Sequence, residues 1–168
     1  MKNFYYTTEI TEKIKEILDT ELPLTIKNIN VGGFRLLPPP EVIKEYIPAV
    51  FIEPVEIDAD TANEALDIEA EQYPFQILYV APYSFETHED MLPKIKEAEK
   101  IANVLRASGI LSTLRIDPSD TEAGGMVVYR RVTGIRLDNI STELFAQIKV
   151  PACVVQIDFD VFFRTFAR

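Results

Sequence analysis

Few side chains in this sequence have the types and spacing to do chemistry. The single histidine, His88, precedes Glu89 and Asp90. Acid–base and nucleophilic catalysis need a base within reach of a nucleophile, and histidine fills that role most often. This histidine falls where a helix is expected to begin, a place polar residues occupy as surface caps. The single cysteine, Cys153, lies on the oily side of an alternating run and is expected to act as a small buried hydrophobe. One cysteine and one histidine cannot furnish a zinc cluster. Gly32-Gly33 and Gly124-Gly125 lack the residues that complete a phosphate-cradling loop.

Carboxylates are the remaining reagents. Asp158 and Asp160 stand two residues apart, so a strand places both on one face, the formal layout of a glycosidase or magnesium-dependent pair. The ordinary reading is a solvent-facing pair, or one salt-bridged to Arg130 or Arg136. A second group, Glu56, Asp58, Asp60, Glu64, Asp67, Glu69 and Glu71, comes with no Lys or Arg among its members. Asp58, Asp60 and Glu69 match the first, third and twelfth positions of a calcium loop. The match fails at the fifth, Ala62, and at the sixth, where Asn63 replaces the glycine of the sharp turn. Like charges this dense repel one another and avoid burial, so the expectation is a solvated loop with a helical turn at 62–68. No catalytic, metal-binding or cofactor-binding residue is assigned, and the chain reads as a non-enzyme that uses no cofactor.

The elements that must carry these residues follow from periodicity. In residues 151–168, Cys153, Val155, Ile157, Phe159, Val161 and Phe163 alternate with Val154, Gln156, Asp158, Asp160, Phe162 and Arg164, one strand with an oily and a wetter face. Burying each apolar side chain stabilises by roughly 1.5–3 kcal/mol, but ordering each backbone residue costs about 1–2 kcal/mol, so the strand needs partners. An amphipathic helix capped by Thr7 or Thr8 carries Ile10, Ile14, Ile17 and Leu18 in one stripe and ends near Pro23. Residues 24–31 allow a strand, with Gly32-Gly33 as a hairpin turn toward 34–37. Pro38, Pro39 and Pro40 stop regular structure, and a short helical turn is expected at 41–46.

Residues 47–57 and 72–83 read as strands, the second greasy on both faces and therefore central. A second helix starts at Thr87 or Asp90, holds Pro93 in its first turn, buries Ile95, Ala98, Ile101, Ala102 and Leu105, and stops at Ser108-Gly109. A short strand is expected at 110–117, an exposed loop at 117–125, a long strand at 126–138 with a bulge at Gly134, and a short helix at 141–148. The fold class is α+β, a mostly antiparallel sheet of roughly four to six strands packed against two main helices.

The bulk numbers agree. At 168 residues, 47% hydrophobic and 26% charged, the chain is sized for a single domain, residues 1–168. The 17 basic against 27 acidic residues give a net charge of −10, which argues against a surface built to grip nucleic acid. No run approaches a membrane span, and a soluble cytosolic protein is expected.

Laid end to end, the elements resemble a known family. The amphipathic helix is followed by IPAVFIEP, YPFQILYVAPY, MLPKIKEAEKIANVLR, MVVYRRVTGIRLD and VVQIDFDVFFR. This order, over about residues 8–166, resembles the tail terminator, or tail-to-head joining, proteins of long-tailed bacteriophages. The similarity is one of element order and size; the 24–37 segment, the proline triplet and the acidic loop depart from it. The resemblance implies a structural virion protein of the tail and neck, present in host cytoplasm during assembly. It forms a homo-oligomer, a hexameric ring, that meets the tail tube protein on one side and a head–tail connector protein on the other. DNA would pass through without specific binding, since carboxylates lining a channel repel phosphate. Asp58, Asp60, Glu64, Asp67, Glu69 and Glu71 are the candidate residues of that lumen or its rim. The alternatives are a head-completion or neck connector protein of the same particle, and a small acidic metal-binding protein or enzyme.

Overall fold

The alternating run at the C-terminal end forms the longest strand, β6 (Ala152–Thr165), and the rest of the sheet is laid out from it. The computed structural model describes residues 6–23, 25–26, 28–32, 45–55, 70–84, 90–137 and 152–166. On one side β6 pairs antiparallel with β3 (Glu71–Pro82), and on the other with β5 (Gly125–Leu137). β2 (Ala49–Pro54) is antiparallel to β3, β1 (Asn28–Val31) is parallel to β2, and the two-residue β4 (Arg115–Ile116) pairs with the start of β5. The order is β1-β2-β3-β6-β5-β4 in one six-stranded sheet. With its two long helices this is the expected α+β, mostly antiparallel architecture.

α1 (Thr7–Glu21) and α2 (Leu92–Ala107) lie on one face of the sheet. Ile10, Ile14, Ile17 and Leu18 of α1, and Ala98, Ile101, Ala102 and Leu105 of α2, are buried against Phe75, Ile77, Phe159, Val161 and Phe163. The α1 stripe is the one the helical period predicts; in α2 the expected Ile95, in the second turn, is only half-buried, and the buried stripe starts at Ala98. The caps differ. Tyr6, without a side-chain cap, precedes α1, and the Thr7 carbonyl accepts from the Thr11 hydroxyl instead. At α2 the Asp90 carboxylate accepts from Leu92 N at 2.9 Å, and Pro93 occupies the first turn.

Within the 24–31 segment, β1 (Asn28–Val31) joins the sheet parallel to β2, while the second arm of the expected hairpin, 34–37, lies outside the described residues. Two further readings are corrected. Gly109 does not end the second helix: Ser108 does so, and its hydroxyl accepts from Ile110 N to start the single turn α3 (Gly109–Ser112). That turn consumes most of the expected 110–117 strand and leaves only β4. Pro74 lies inside the central strand β3, where a missing donor ordinarily costs a ladder bond. Its carbonyl accepts from Val55 N at 2.9 Å, so its nitrogen faces the same side, beyond Pro54 where the β2 ladder has ended. The expected bulge at Gly134 is present as a register shift between Val132 and Gly134. The arm at 34–37, Pro38, Pro39, Pro40, residues 41–44 and the helical turns at 62–68 and 141–148 lie outside the described residues.

Candidate functional site

The face of β6 turned away from the helices carries Val154, Gln156, Asp158, Asp160 and Phe162, and it is not the wetter face its composition implies. Gln156 is 5% exposed, Asp160 7% and Phe162 2%. Buried charge persists only when paired, and the pairing comes from β5. In the antiparallel register Arg131 stands opposite Asp160, and its Nε donates to Asp160 Oδ2 at 3.1 Å. Asp158 Oδ1 accepts from Gln156 Nε2 at 2.7 Å, and Arg136 Nη2 lies 3.8 Å from Asp158 Oδ2. The Arg131 guanidinium sits over the Phe162 ring, 5.3 Å from its centroid, and Tyr129 packs on the same ring at 5.7 Å. The result is a charge-balanced ladder of two aspartates and two arginines that locks β5 to β6 in a single register, because a one-residue slip would turn each arginine to the other face.

Arg130, the other neighbour expected beside these aspartates, is on the opposite side. The bulge between Val127 and Tyr129 places Arg130 opposite Val161, facing the helices. There its guanidinium donates to the Leu105 carbonyl at 3.2 Å, the Ser108 carbonyl at 2.5 Å and the Ser112 hydroxyl. Carbonyls at a helix C-terminus lack intrahelical donors, and a guanidinium satisfies them while opposing the negative end of the dipole. Ser108 in turn donates to Glu21 at the end of α1, at 2.8 Å.

Of the acidic stretch, Asp58, Asp60, Glu64, Asp67 and Glu69 lie outside the described residues, as does His88. Glu71 opens β3, where its carboxylate accepts from the Tyr73 hydroxyl at 2.8 Å. Cys153 is buried on the helix-covered face of β6, as expected. Among the described residues, no group of three or more His, Cys, Asp or Glu side chains could hold a metal ion, and no helix is long and apolar enough to cross a membrane.

A second polar device went unread in the sequence. The Tyr73 hydroxyl accepts from Tyr6 N at 3.2 Å, and the Tyr6 hydroxyl accepts from Gly124 N at 2.9 Å. Tyr6 also stacks on Phe163 at 4.8 Å, so the start of α1 is pinned to β3, β6 and the turn before β5. Gly124 adopts φ +73, and a Cβ there would stand 2.6 Å from the Ile116 carbonyl oxygen; the Gly-Gly pair serves this close approach. Burial, and then the hydrogen bond to Glu71, raises the Tyr73 phenol far above its ordinary value. Tyr79 is pushed up to about 12, mainly by burial and secondarily by the charge of Glu97. Only the aromatic-rich run FYYTT could have signalled this latch, and its partners are 67 and 118 residues away.

The sheet ends in two unlike edges. β5 is 13 residues long, yet its outer side is paired with β4 only at Gly125 and Met126; among the described residues no strand lies beyond the remainder. Along it Met126, Tyr129 and Leu137 are 36%, 47% and 45% exposed. At the far edge β1 exposes Val31 by 50%. Edges of this kind are templates for pairing with another chain. Compared with known proteins, the chain matches no family model and no curated sequence.

Proposed function

We propose that the protein is a ring-forming structural subunit of the tail-terminator kind: it sits at the head-proximal end of a phage tail tube, ends tube polymerisation and joins tail to head. The observation that carries this reading is a single sheet whose two sides differ: β1 at one end and, at the other, β5 with only the two-residue β4 beyond it among the described residues. Two unlike edges on one subunit are what a head-to-tail contact requires, and such contacts form a ring where the rotation between copies closes. The order α1, β2, β3, α2, β5, β6 is also the order on which the family resemblance rests. The buried Asp–Arg ladder fits a scaffold part, since each carboxylate is tied to a guanidinium on the next strand. A net charge of −10 suits a ring through which a duplex slides without being gripped.

In this reading the partners are further copies of the chain, the tail tube protein and a head–tail connector protein. The test is to mix the purified protein with isolated tail tubes and, separately, with portal rings, and to image both by electron microscopy. Binding at one end of the tubes, with further tube growth arrested, is the expected result. Binding to portal rings alone would place the protein in the neck instead.

A further inference from the structure

We infer that copies of this chain join by strand addition, the β1 edge of one copy adding antiparallel to the β5 edge of the next, with Val31 opposite Ile135 and Ile29 opposite Leu137. The inference rests on the ring reading above and specifies its contact.

The register of the sheet supplies the first reason. Reading across the strands, Val31 is level with Ile52, Ile77, Ile157 and Ile135, and Ile29 with Val50, Tyr79, Val155 and Leu137. The four residues of β1 therefore lie at the same height as the C-terminal part of β5, beyond which no strand lies among the described residues, at opposite ends of continuous rows. Side chains in both rows point to the helix-covered face, where Ile52, Ile77, Ile157, Val50, Tyr79 and Val155 are core. Val31 and Leu137 are the members left exposed, by 50% and 45%. Joined edge to edge, each would cover apolar surface on the other copy.

Strand direction is the second reason. β1 runs with β2, and each later step, β2 to β3, β3 to β6 and β6 to β5, reverses direction. β1 and β5 consequently run opposite ways. A copy carried forward around a ring axis along the strands keeps its direction, so the junction is antiparallel, the commoner pairing.

Charge favours β1 over a second β5 as the partner edge. β5 holds Arg130, Arg131 and Arg136 and no acidic residue. Pairing two β5 strands across a twofold axis would bring two arginine-bearing strands together, with no acidic residue on either to offset them. β1, reading NINV, carries no charge and receives an arginine-bearing strand without repulsion.

The test places cysteines at Ile29 and Leu137 in a Cys153→Ser background. Directly opposed antiparallel residues bring Cα atoms to about 4.5–5.5 Å, within disulfide range. The full-length variant is assembled with purified tail tubes, oxidised and run on non-reducing gels. The expected result is a ladder of cross-linked oligomers from Ile29→Cys/Leu137→Cys, and none from either single variant or from Ile29→Cys/Met126→Cys, whose second cysteine is at the opposite end of β5. Leu137→Asp, with its fold checked by thermal melting, is expected to weaken self-association about tenfold. Rings at tube ends without the ladder would overturn the β1–β5 junction and leave the ring reading standing. A wild-type chain that never self-associates in the presence of tubes would overturn both.

Discussion

β6 and β5 are neighbours of nearly equal length, 14 and 13 residues, and their environments are opposite. β6 is paired along both sides, and both of its faces are buried, including the one bearing Gln156 and Asp160. β5 is paired along its whole length only on the β6 side, meeting β4 at Gly125 and Met126 alone on the other, and exposes Tyr129 and Leu137 while keeping Val127 inside. The difference teaches that a strand's position in the sheet, more than its alternation, decides what its side chains do. An aspartate at the centre becomes a buried tie between strands, whereas an arginine on the outer strand serves as that tie's outer half and a leucine there is left exposed.

The largest effect is expected at the centre. Phe163 is fully buried and touches the rings of both Tyr6 and Tyr73. Phe163→Ala should destabilise by about 3–5 kcal/mol in urea unfolding, because truncation adds a cavity to the lost burial. Gly125→Val comes next, since a Cβ at Gly125 would collide with the Phe163 ring and stand 2.5 Å from the Arg164 carbonyl oxygen. Overpacking of this kind costs about 1–3 kcal/mol, read as a lower melting temperature.

The ladder between the strands should rank below these. Asp160→Ala is expected to cost roughly 1–2 kcal/mol, because the Arg131 it would leave is 36% exposed and keeps its solvation in part. Asp158→Ala should cost less, its Arg136 partner being 63% exposed. Equal losses at the two aspartates would erase the distinction between the buried and the peripheral end of the ladder. Smallest of all is the edge: Leu137→Asp should change monomer stability by no more than about 0.5 kcal/mol. A larger loss would show that β5 is not an open edge.

The tyrosines of β3 add a dependence on pH. Folding holds the Tyr73 and Tyr79 phenols above the unfolded value of 10.0, that of Tyr79 at about 12. Above pH 10 the unfolded chain releases protons that the folded chain retains, so stability is full below that pH and falls as pH rises toward 12 and beyond. Urea midpoints taken across this range should decline, and the decline should be shallower in Tyr73→Phe.

Local periodicity made much of this legible. The apolar stripes of α1 and, from Ala98 on, of α2, the alternation of β6, the two-sided greasiness of β3 and the bulge at Gly134 are short-range patterns that packing then respected. What was illegible depends on distant pairing. Nothing near Asn28 says that β1 will run parallel to β2, and nothing near Arg131 shows that a bulge will send it, and not Arg130, to Asp160. The wetter face of β6 was misread for the same reason: alternation reports which side chains share a face, and burial depends on what covers it. The latch from Tyr6 to Gly124 spans most of the chain and leaves no local mark.

The most direct test of the central claim is electron microscopy of the protein with purified tail tubes. The account predicts closed rings seated at one end of tubes that have stopped growing, with density continuous from sheet to sheet around the ring. Tubes that elongate unchanged, with the protein free or bound elsewhere, would contradict it.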